Sequence, residues 1–361
     1  MKVANITWIT YLNFGTFLQA YALQEYIKSV GIQCTTLNDA TKVEKHLNWK
    51  LKIKKLYWSL QQDYRLFMRS QEQSRMLYED FKSKYIKLEW HADEPNYLNK
   101  EYDCFVCGSD QIWNPYSLRN KHAGFYYAEF ACKKKVAYAP SVGVSSIPDD
   151  CLPRFKNLIN DFSFLSARER EGKEIMQKLT GKCVLQVVDP TLLVGKDQWE
   201  NFVRKQNVKP YVLGYFLTPN NRYINAAKEY AREKGLEFRM LYTDRKYRSV
   251  TDKLITAGPI EFLQAIHDAH IVFTDSFHGS IFSVIFRTPF VTFKRFRNSA
   301  TSQNSRVENL LKTMGLSDRL IDENEVHQIN SLKEIDFDDV WKRLSPMIDK
   351  SKKYLVDAIK E

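Results

Sequence analysis

The sequence predicts an α/β protein made of two successive strand–helix units, and three observations predict it. The chain opens as strand–helix–strand: an apolar run from Val3 to Ile9, the turn Asn13-Phe14-Gly15-Thr16, a helical pattern from Phe17 to Val30 closed by Gly31, and a second strand from Ile32 to Leu37. The same alternation restarts after residues 195–210, with strands from Tyr211 to Phe216 and Phe238 to Tyr242 and helices from Asn221 to Lys234 and Ile260 to His267. Finally, the run from Ile271 to Phe293 is a complete unit in itself. It reads as the strand Ile271-Val272-Phe273, the turn from Thr274 to Ser280, a helix from Ile281 to Phe286, Pro289, and the strand Phe290-Val291-Thr292-Phe293. Open α/β sheets bind ligands at the carboxyl ends of their strands, so the turns at those ends are the places to look for function.

Taken in order, the first such turn offers Asn13 and Gly15 as ligand positions. Its glycine is equally explained by a turn that needs one. From Thr41 to about Leu88 the chain is helical in character, basic and aromatic. Residues 42–87 hold twelve Lys and Arg against five Asp and Glu, which is +7 of the net charge. Trp49, Leu51, Ile53, Tyr57 and Trp58 interleave there with Lys50, Lys52, Lys54 and Lys55. Such an arm can rest on an anionic membrane surface. The alternative is an inserted helical hairpin that packs its aromatics and solvates its lysines; the lack of an apolar face separate from the lysines favours it.

A third strand, Tyr102 to Cys107, runs into Gly108-Ser109-Asp110-Gln111-Ile112-Trp113-Asn114. Gly108 allows close approach of a ligand, and Ser109, Asp110 and Gln111 form a polar pocket edge in which Asp110 can orient or deprotonate a hydroxyl. The competing account is an Asx-type turn. A fourth strand spans Lys135 to Ala139, a helix Pro148 to Asn160, and a strand Phe162 to Leu165. Arg168 lies just past that strand end, where a guanidinium can hold a carboxylate or phosphate, or pair with Glu169 or Glu171. A helix then runs through Leu179, and a strand from Val184 to Val188 ends at Asp189-Pro190-Thr191.

In the second unit the turn after Phe273 places Ser276, His278, Gly279 and Ser280 at a helix N-terminus, where free N–H groups and the helix dipole favour an anion. His278 is there either an acid–base group or a helix cap. A basic polar loop follows the last strand of that unit, with Lys294, Arg295, Arg297, Asn304, Ser305 and Arg306. A final helix spans Phe337 to Ile359.

Composition narrows the classes. The chain has 361 residues, 44% of them hydrophobic, and a net charge of +11, which suits phosphate-bearing partners. No nucleic-acid motif accompanies the charge. Cys104 and Cys107 have CxxC spacing but sit in a strand, where residues three apart face opposite ways, so neither a metal nor a disulfide is expected. His267 and His270 lack a supporting ligand. No signal peptide and no bilayer-length apolar stretch is present, so a cytoplasmic protein is expected, with peripheral contact at the inner membrane face as the open option.

Five stretches occurring in order resemble the polysaccharide pyruvyl transferase family. They are Asn13-Phe14-Gly15-Thr16-Phe17-Leu18-Gln19-Ala20-Tyr21-Ala22-Leu23, Gly108-Ser109-Asp110-Gln111-Ile112-Trp113-Asn114, Ser166-Ala167-Arg168-Glu169, Asp189-Pro190-Thr191-Leu192-Leu193 and Thr274-Asp275-Ser276-Phe277-His278-Gly279. The resemblance spans residues 3–320. It implies two Rossmann-like domains in a GT-B-like arrangement. The N-terminal domain (1–195) would carry the acceptor side and a helical insertion at about 41–88. The C-terminal domain (196–335) would carry the donor side, and residues 336–361 would form a helix docked across the body. The resemblance further implies phosphoenolpyruvate as donor and a sugar of a capsule, exopolysaccharide or cell-wall precursor as acceptor, whether lipid-linked, nucleotide-linked or polymeric; that chemistry requires no metal or organic cofactor. His278 matches the family histidine, Arg168 the arginine of its Ser-x-Arg-Glu motif, and Arg295, Asn304 and Arg306 a basic region. Where some members have Arg-Leu-His this chain has Ser276-Phe277-His278, so Arg168, Arg295 or Arg306 must supply the missing charge. The expected roles are His278 as acid–base group, Asp110 as a second on the acceptor side, and Arg168 on the donor. The other functions considered are a GT-B glycosyltransferase using a nucleotide sugar and a non-catalytic glycan or polyphosphate binder.

Overall fold

The computed structural model describes residues 1–38, 61–89, 94–251, 253–295 and 304–361. In the first part, β1 (Lys2–Ile6), α1 (Phe14–Ser29) and β2 (Gln33–Leu37) are followed by α2 (Gln62–Tyr85), β3 (Leu88–Glu89), α3 (Pro95–Glu101), β4 (Cys104–Cys107) and β5 (Lys134–Ala137). The strands form one parallel sheet in the order β3-β2-β1-β4-β5. Its order reverses between β1 and β4, which opens a crevice at their carboxyl ends.

A two-stranded parallel pair comes next. After α4 (Leu152–Asn160), β6 (Leu165–Ala167) pairs with β7 (Val184–Gln186) across α5 (Arg170–Thr180). A single bridge between Val136 and Phe164 and the Ser166 hydroxyl, which donates to the Ala137 carbonyl (2.7 Å), tie this pair to β5, and β6 starts later than the apolar run from Phe162 suggests. After α6 (Lys196–Glu200) the second sheet is built from β8 (Tyr211–Tyr215), α7 (Asn221–Glu233), β9 (Glu237–Leu241), β10 (Leu254–Ile255), α8 (Pro259–Asp268), β11 (Ile271–Thr274), α9 (Phe277–Phe286), β12 (Phe290–Phe293), α10 (Asn304–Met314) and β13 (Leu320–Ile321). Its order is β10-β9-β8-β11-β12-β13, again with a reversal, here between β8 and β11. Helix α11 (Phe337–Lys360) closes the chain.

The central strands are buried on both faces, which is why Cys-Phe-Val-Cys and Ile-Val-Phe-Thr show no polar alternation. Cys104 packs with Phe17 and Tyr21 on one face of the first sheet, and Cys107 with Trp113 and Phe155 on the other. The two thiols thus point apart, and burial pushes both pKa values up, that of Cys104 to about 12.

Two elements cross between the halves. Helix α2 buries Tyr78 and Phe81 against Phe17 and Tyr21 of α1. From its other end, Gln71 donates to the Tyr242 carbonyl (3.1 Å), Ser74 donates to the Ala257 carbonyl, and Ser70 meets the Thr256 hydroxyl (2.7 Å). Residues 62–85 are thus one packed helix that reaches the second sheet; residues 41–60, with the aromatic–lysine stretch and the rest of the expected hairpin, lie outside the described residues. In return, α11 docks on the first half. Ser351 accepts from the Val188 N–H (3.0 Å), and Tyr354 donates to the Ala137 carbonyl (3.0 Å). No helix among the described residues is long and apolar enough to cross a membrane.

Candidate active site

Helix α9 starts earlier than its apolar run, because Ser276 caps it. The Ser276 hydroxyl accepts from the Gly279 N–H (3.2 Å), and Thr274 Oγ1 accepts from the Ser276 N–H (3.0 Å). Gly279 is a glycine for packing: a Cβ there would lie 2.6 Å from Thr274 Oγ1. Ser276 remains on a cleft wall, whereas Gly279 serves the turn.

The cap aims His278 across the gap at α1. A Cβ on Gly15 would lie 1.9 Å from His278 Nδ1. Gly15 is therefore not a turn glycine: it lies inside α1, makes room for a ring from the other half, and does not line the cleft. Asn13 caps α1 by accepting from the Thr16 N–H (3.3 Å) and lines the cleft.

Behind His278 stands Asp189, which sequence reasoning quoted only as part of a motif. Its Oδ2 accepts from Arg168 Nη1 (2.8 Å) and Ser109 Oγ (3.2 Å), and its Oδ1 from the Thr191 N–H (3.1 Å) and hydroxyl (2.8 Å). His278 Nε2 lies 3.6 Å from the same Oδ2. That is an ion-pair distance and too long for a hydrogen bond. Burial alone would raise the Asp189 carboxyl; His278 and Arg168 together overcome it and hold it well below the usual range.

Arg168 and His278 are thus brought together through one carboxylate. Arg168 is nevertheless set back from the main cleft, with a side chain 3% exposed. Its guanidinium carbon stacks 4.3 Å from the Phe277 ring centre. Asp110 and Glu169 lie 4.0 and 3.8 Å from its remaining nitrogens, so the Glu169 pairing foreseen as an alternative is present, while Glu171 accepts from Asn309 instead. Arg168 also borders a side cavity of about 30 Å³, the share of one water.

The cleft itself encloses about 420 Å³ between the carboxyl ends of the two sheets. Asn13, Thr16, Asp110 and Gln111 face it from the first half, and Asp275, Ser276, His278, Arg295, Asn304 and Arg306 from the second. Asp110 accepts from Thr16 Oγ1 (2.8 Å) and from the N–H of its neighbour Gln111 (2.9 Å) at its cleft position; the Asx-type bond to the N–H two residues on is made by Asn114, which accepts from Tyr116 (3.1 Å). Ser109 is fully buried; its N–H donates to Gln19 Oε1 (3.1 Å), and it holds Asp189 rather than facing the cleft. Gly108 meets backbone in place of a ligand: its φ is +139°, and a Cβ would lie 1.8 Å from the Tyr138 carbonyl oxygen.

A family model for polysaccharide pyruvyl transferases matches residues 13–295. The chain belongs to that family. No curated protein sequence matches it. Among solved structures, the chain is similar to Staphylococcus aureus MnaA in complex with UDP, with a TM-score of 0.56, 13% identity, and 99% of this chain and 96% of that one covered. It is also similar to the UDP-GlcNAc 2-epimerase of Methanocaldococcus jannaschii, with a TM-score of 0.52, 12% identity and 99% of both chains covered. These likenesses place the chain in the GT-B-like fold.

On the second half of the chain, Arg295 Nε donates to Thr218 Oγ1 (2.8 Å) and its N–H donates to Asn304 Oδ1 (3.0 Å), so Asn304 fixes the base of the basic loop. Arg297 lies outside the described residues. Burial and the nearby Arg168 push the Arg306 pKa down to about 10, a sign of crowded guanidinium groups. Asp275, not singled out by sequence, accepts from the N–H groups of Leu217 (2.6 Å) and Thr218 (3.0 Å) at the second crevice. Burial raises its carboxyl to about 6 despite those bonds and Arg295. The signal for Asp189 and Asp275 was available: each is an acid within two positions of the end of an apolar run, Val187-Val188 and Ile271-Val272-Phe273. Gln19 carried no such mark, since a buried amide inside a helix reads as an ordinary helical residue.

Proposed function

We propose that this pyruvyl transferase takes phosphoenolpyruvate as donor and builds a cyclic pyruvate ketal on a sugar of a surface polysaccharide or its precursor. The observation that carries the proposal is one cleft with His278, Arg295 and Arg306 on one wall and Asp110 on the other, in a chain of this family. The donor carries a carboxylate and a phosphate, which suit the two guanidinium groups. The acceptor is a diol, which suits Asn13, Thr16, Asp110 and Gln111.

His278 delivers a proton to the vinyl carbon. A sugar hydroxyl attacks the central carbon as Asp110 takes its proton, phosphate departs, and a second hydroxyl closes the ring. Of the two hydroxyl protons, one replaces the proton that ends in the new methyl group and the other leaves with phosphate. Arg168 contributes positive potential from behind Asp189 and Phe277, without lining the main cleft. The residues need no metal or organic cofactor for these steps.

The test is phosphate release from phosphoenolpyruvate with candidate glycans. His278→Ala should slow it about 10²–10⁴-fold; full activity in that variant would remove the acid–base role. Thermal stabilisation by a nucleoside diphosphate, with none by phosphoenolpyruvate, would replace the proposal by glycosyl transfer from a nucleotide sugar. Donor binding without turnover would leave a binder.

A further inference from the structure

The two nitrogens of the His278 ring are in different surroundings. Nε2 is sealed from solvent, has no hydrogen-bond partner among the described residues, and faces Asp189 Oδ2 at 3.6 Å. Asp189 is itself fully enclosed, and both of its oxygens are occupied by donors from Arg168, Ser109 and Thr191. A carboxylate held by that many donors stays ionised, and an ionised carboxylate favours a proton on the ring nitrogen nearest to it. Nδ1 lies on the α1 side, over the bare Cα of Gly15, where any side chain would occupy its place. A neutral imidazole has one N–H and one lone pair, so fixing the proton on Nε2 leaves the lone pair on Nδ1.

We infer that His278 moves protons through Nδ1, with Asp189 as the positioning carboxylate on Nε2 and Gly15 as the side-chain-free seat against which the ring rests beside Nδ1. The pyruvyl-transfer proposal enters only in naming the substrate atom at the other end of the proton's path. In that setting the imidazolium keeps its Nε2 proton and gives the one on Nδ1 to the vinyl carbon. The ring is left as the Nε2–H tautomer, and Nδ1 is reloaded by a proton originating from an acceptor hydroxyl. Ser109 and Arg168 then belong to the same device: they hold Asp189 in place, and neither need touch the donor.

The experiment is long-range ¹H–¹⁵N NMR of the ring nitrogens in the full, ¹⁵N-histidine-labelled chain, with His278→Gln used to assign the signal. The neutral ring should show the Nε2–H tautomer, with Nδ1 at the pyridine-like shift. A neutral ring protonated on Nδ1 overturns the inference, and this reading needs no variant that might fail to fold. Asp189→Asn should abolish the tautomer preference and slow phosphate release by about 10–100-fold, the usual loss for an orienting partner, while thermal stabilisation by phosphoenolpyruvate persists. An unchanged tautomer in Asp189→Asn removes Asp189 from the device. Gly15→Ala should move the His278 ring resonances and slow turnover while retaining donor binding; unmoved resonances remove Gly15. If phosphoenolpyruvate neither binds to nor is consumed by the wild type, the donor assignment falls, and the tautomer measurement still decides the inference.

Discussion

The two crevices that face each other across the cleft are built on the same topological plan and filled differently. Between β1 and β4, Gln19 ties Thr7 and Thr16 to Ser109 through hydrogen bonds that never leave the protein, and the cleft-facing groups are an acid, amides and a hydroxyl. Between β8 and β11, Asp275 occupies the backbone N–H pair of Leu217 and Thr218, and two arginines stand beside it. The first wall presents neutral hydrogen-bonding groups and one carboxylate, and the second adds two guanidinium groups. A shared scaffold thus gains polarity across its cleft from a few strand-end residues, and His278 is the group that reaches from the second wall to the first.

The largest way to disturb this contrast is Arg168→Ala. It strips the guanidinium from Asp189, Glu169 and Asp110, and breaking such buried pairs costs about 3–5 kcal/mol. A sharp fall in the denaturation midpoint is expected; a variant as stable as wild type, with only weaker donor binding, would return Arg168 to the donor wall. Next comes Asp275. Its carboxyl is raised to about 6 in the folded protein, against about 3.9 unfolded. Between those values the native state holds a proton that the unfolded chain has lost, so this group's contribution to stability falls as pH rises from about 4 to about 6. Asp275→Asn cannot titrate, and the stability difference should move in its favour by about 3 kcal/mol over that window. Denaturant melts at both ends check it, and a constant difference would refute it.

The contrast sharpens with Arg295→Gln and Arg306→Gln. Each should weaken donor binding by about 1.5–3 kcal/mol, the range for a hydrogen bond to a charged group, read as an increase in the apparent constant for phosphoenolpyruvate. Gln111→Ala on the opposite wall should leave that constant unchanged. The smallest effect belongs to the strap between the halves. Ser74→Ala removes one buried hydrogen bond to the second sheet and should cost about 1 kcal/mol of stability, with turnover at saturating substrate retained.

Much of the candidate site was legible because strand ends mark themselves. An apolar run that stops at small and polar residues identified the turns holding Asn13, Asp110, Gln111, Ser276 and His278, and the cleft gathers all of them. Arg295, Asn304 and Arg306 came from the same logic with the resemblance added. What misled was the role given to individual small residues. Gly108 and Gly15 both read as places where a ligand or a turn needs room. The neighbours that need it are the Tyr138 carbonyl and the His278 ring, 30 and 263 positions away in sequence. Ser109 likewise reads as a pocket-edge hydroxyl and is spent on Asp189. The two-residue strands β3, β10 and β13 left no pattern, since period-2 alternation needs at least four residues to be seen.

The sequence by itself determined the alternation of strands and helices, the positions of the turns and the family, because each is written in local periodicity and short ordered motifs. Only the tertiary structure decided that His278 rests on Gly15, that Asp189 joins it to Arg168, and that Arg168 stands behind the cleft rather than in it. Those are contacts between segments far apart in the chain, and a one-dimensional pattern holds no record of which buried polar groups must satisfy one another once two sheets face across a gap.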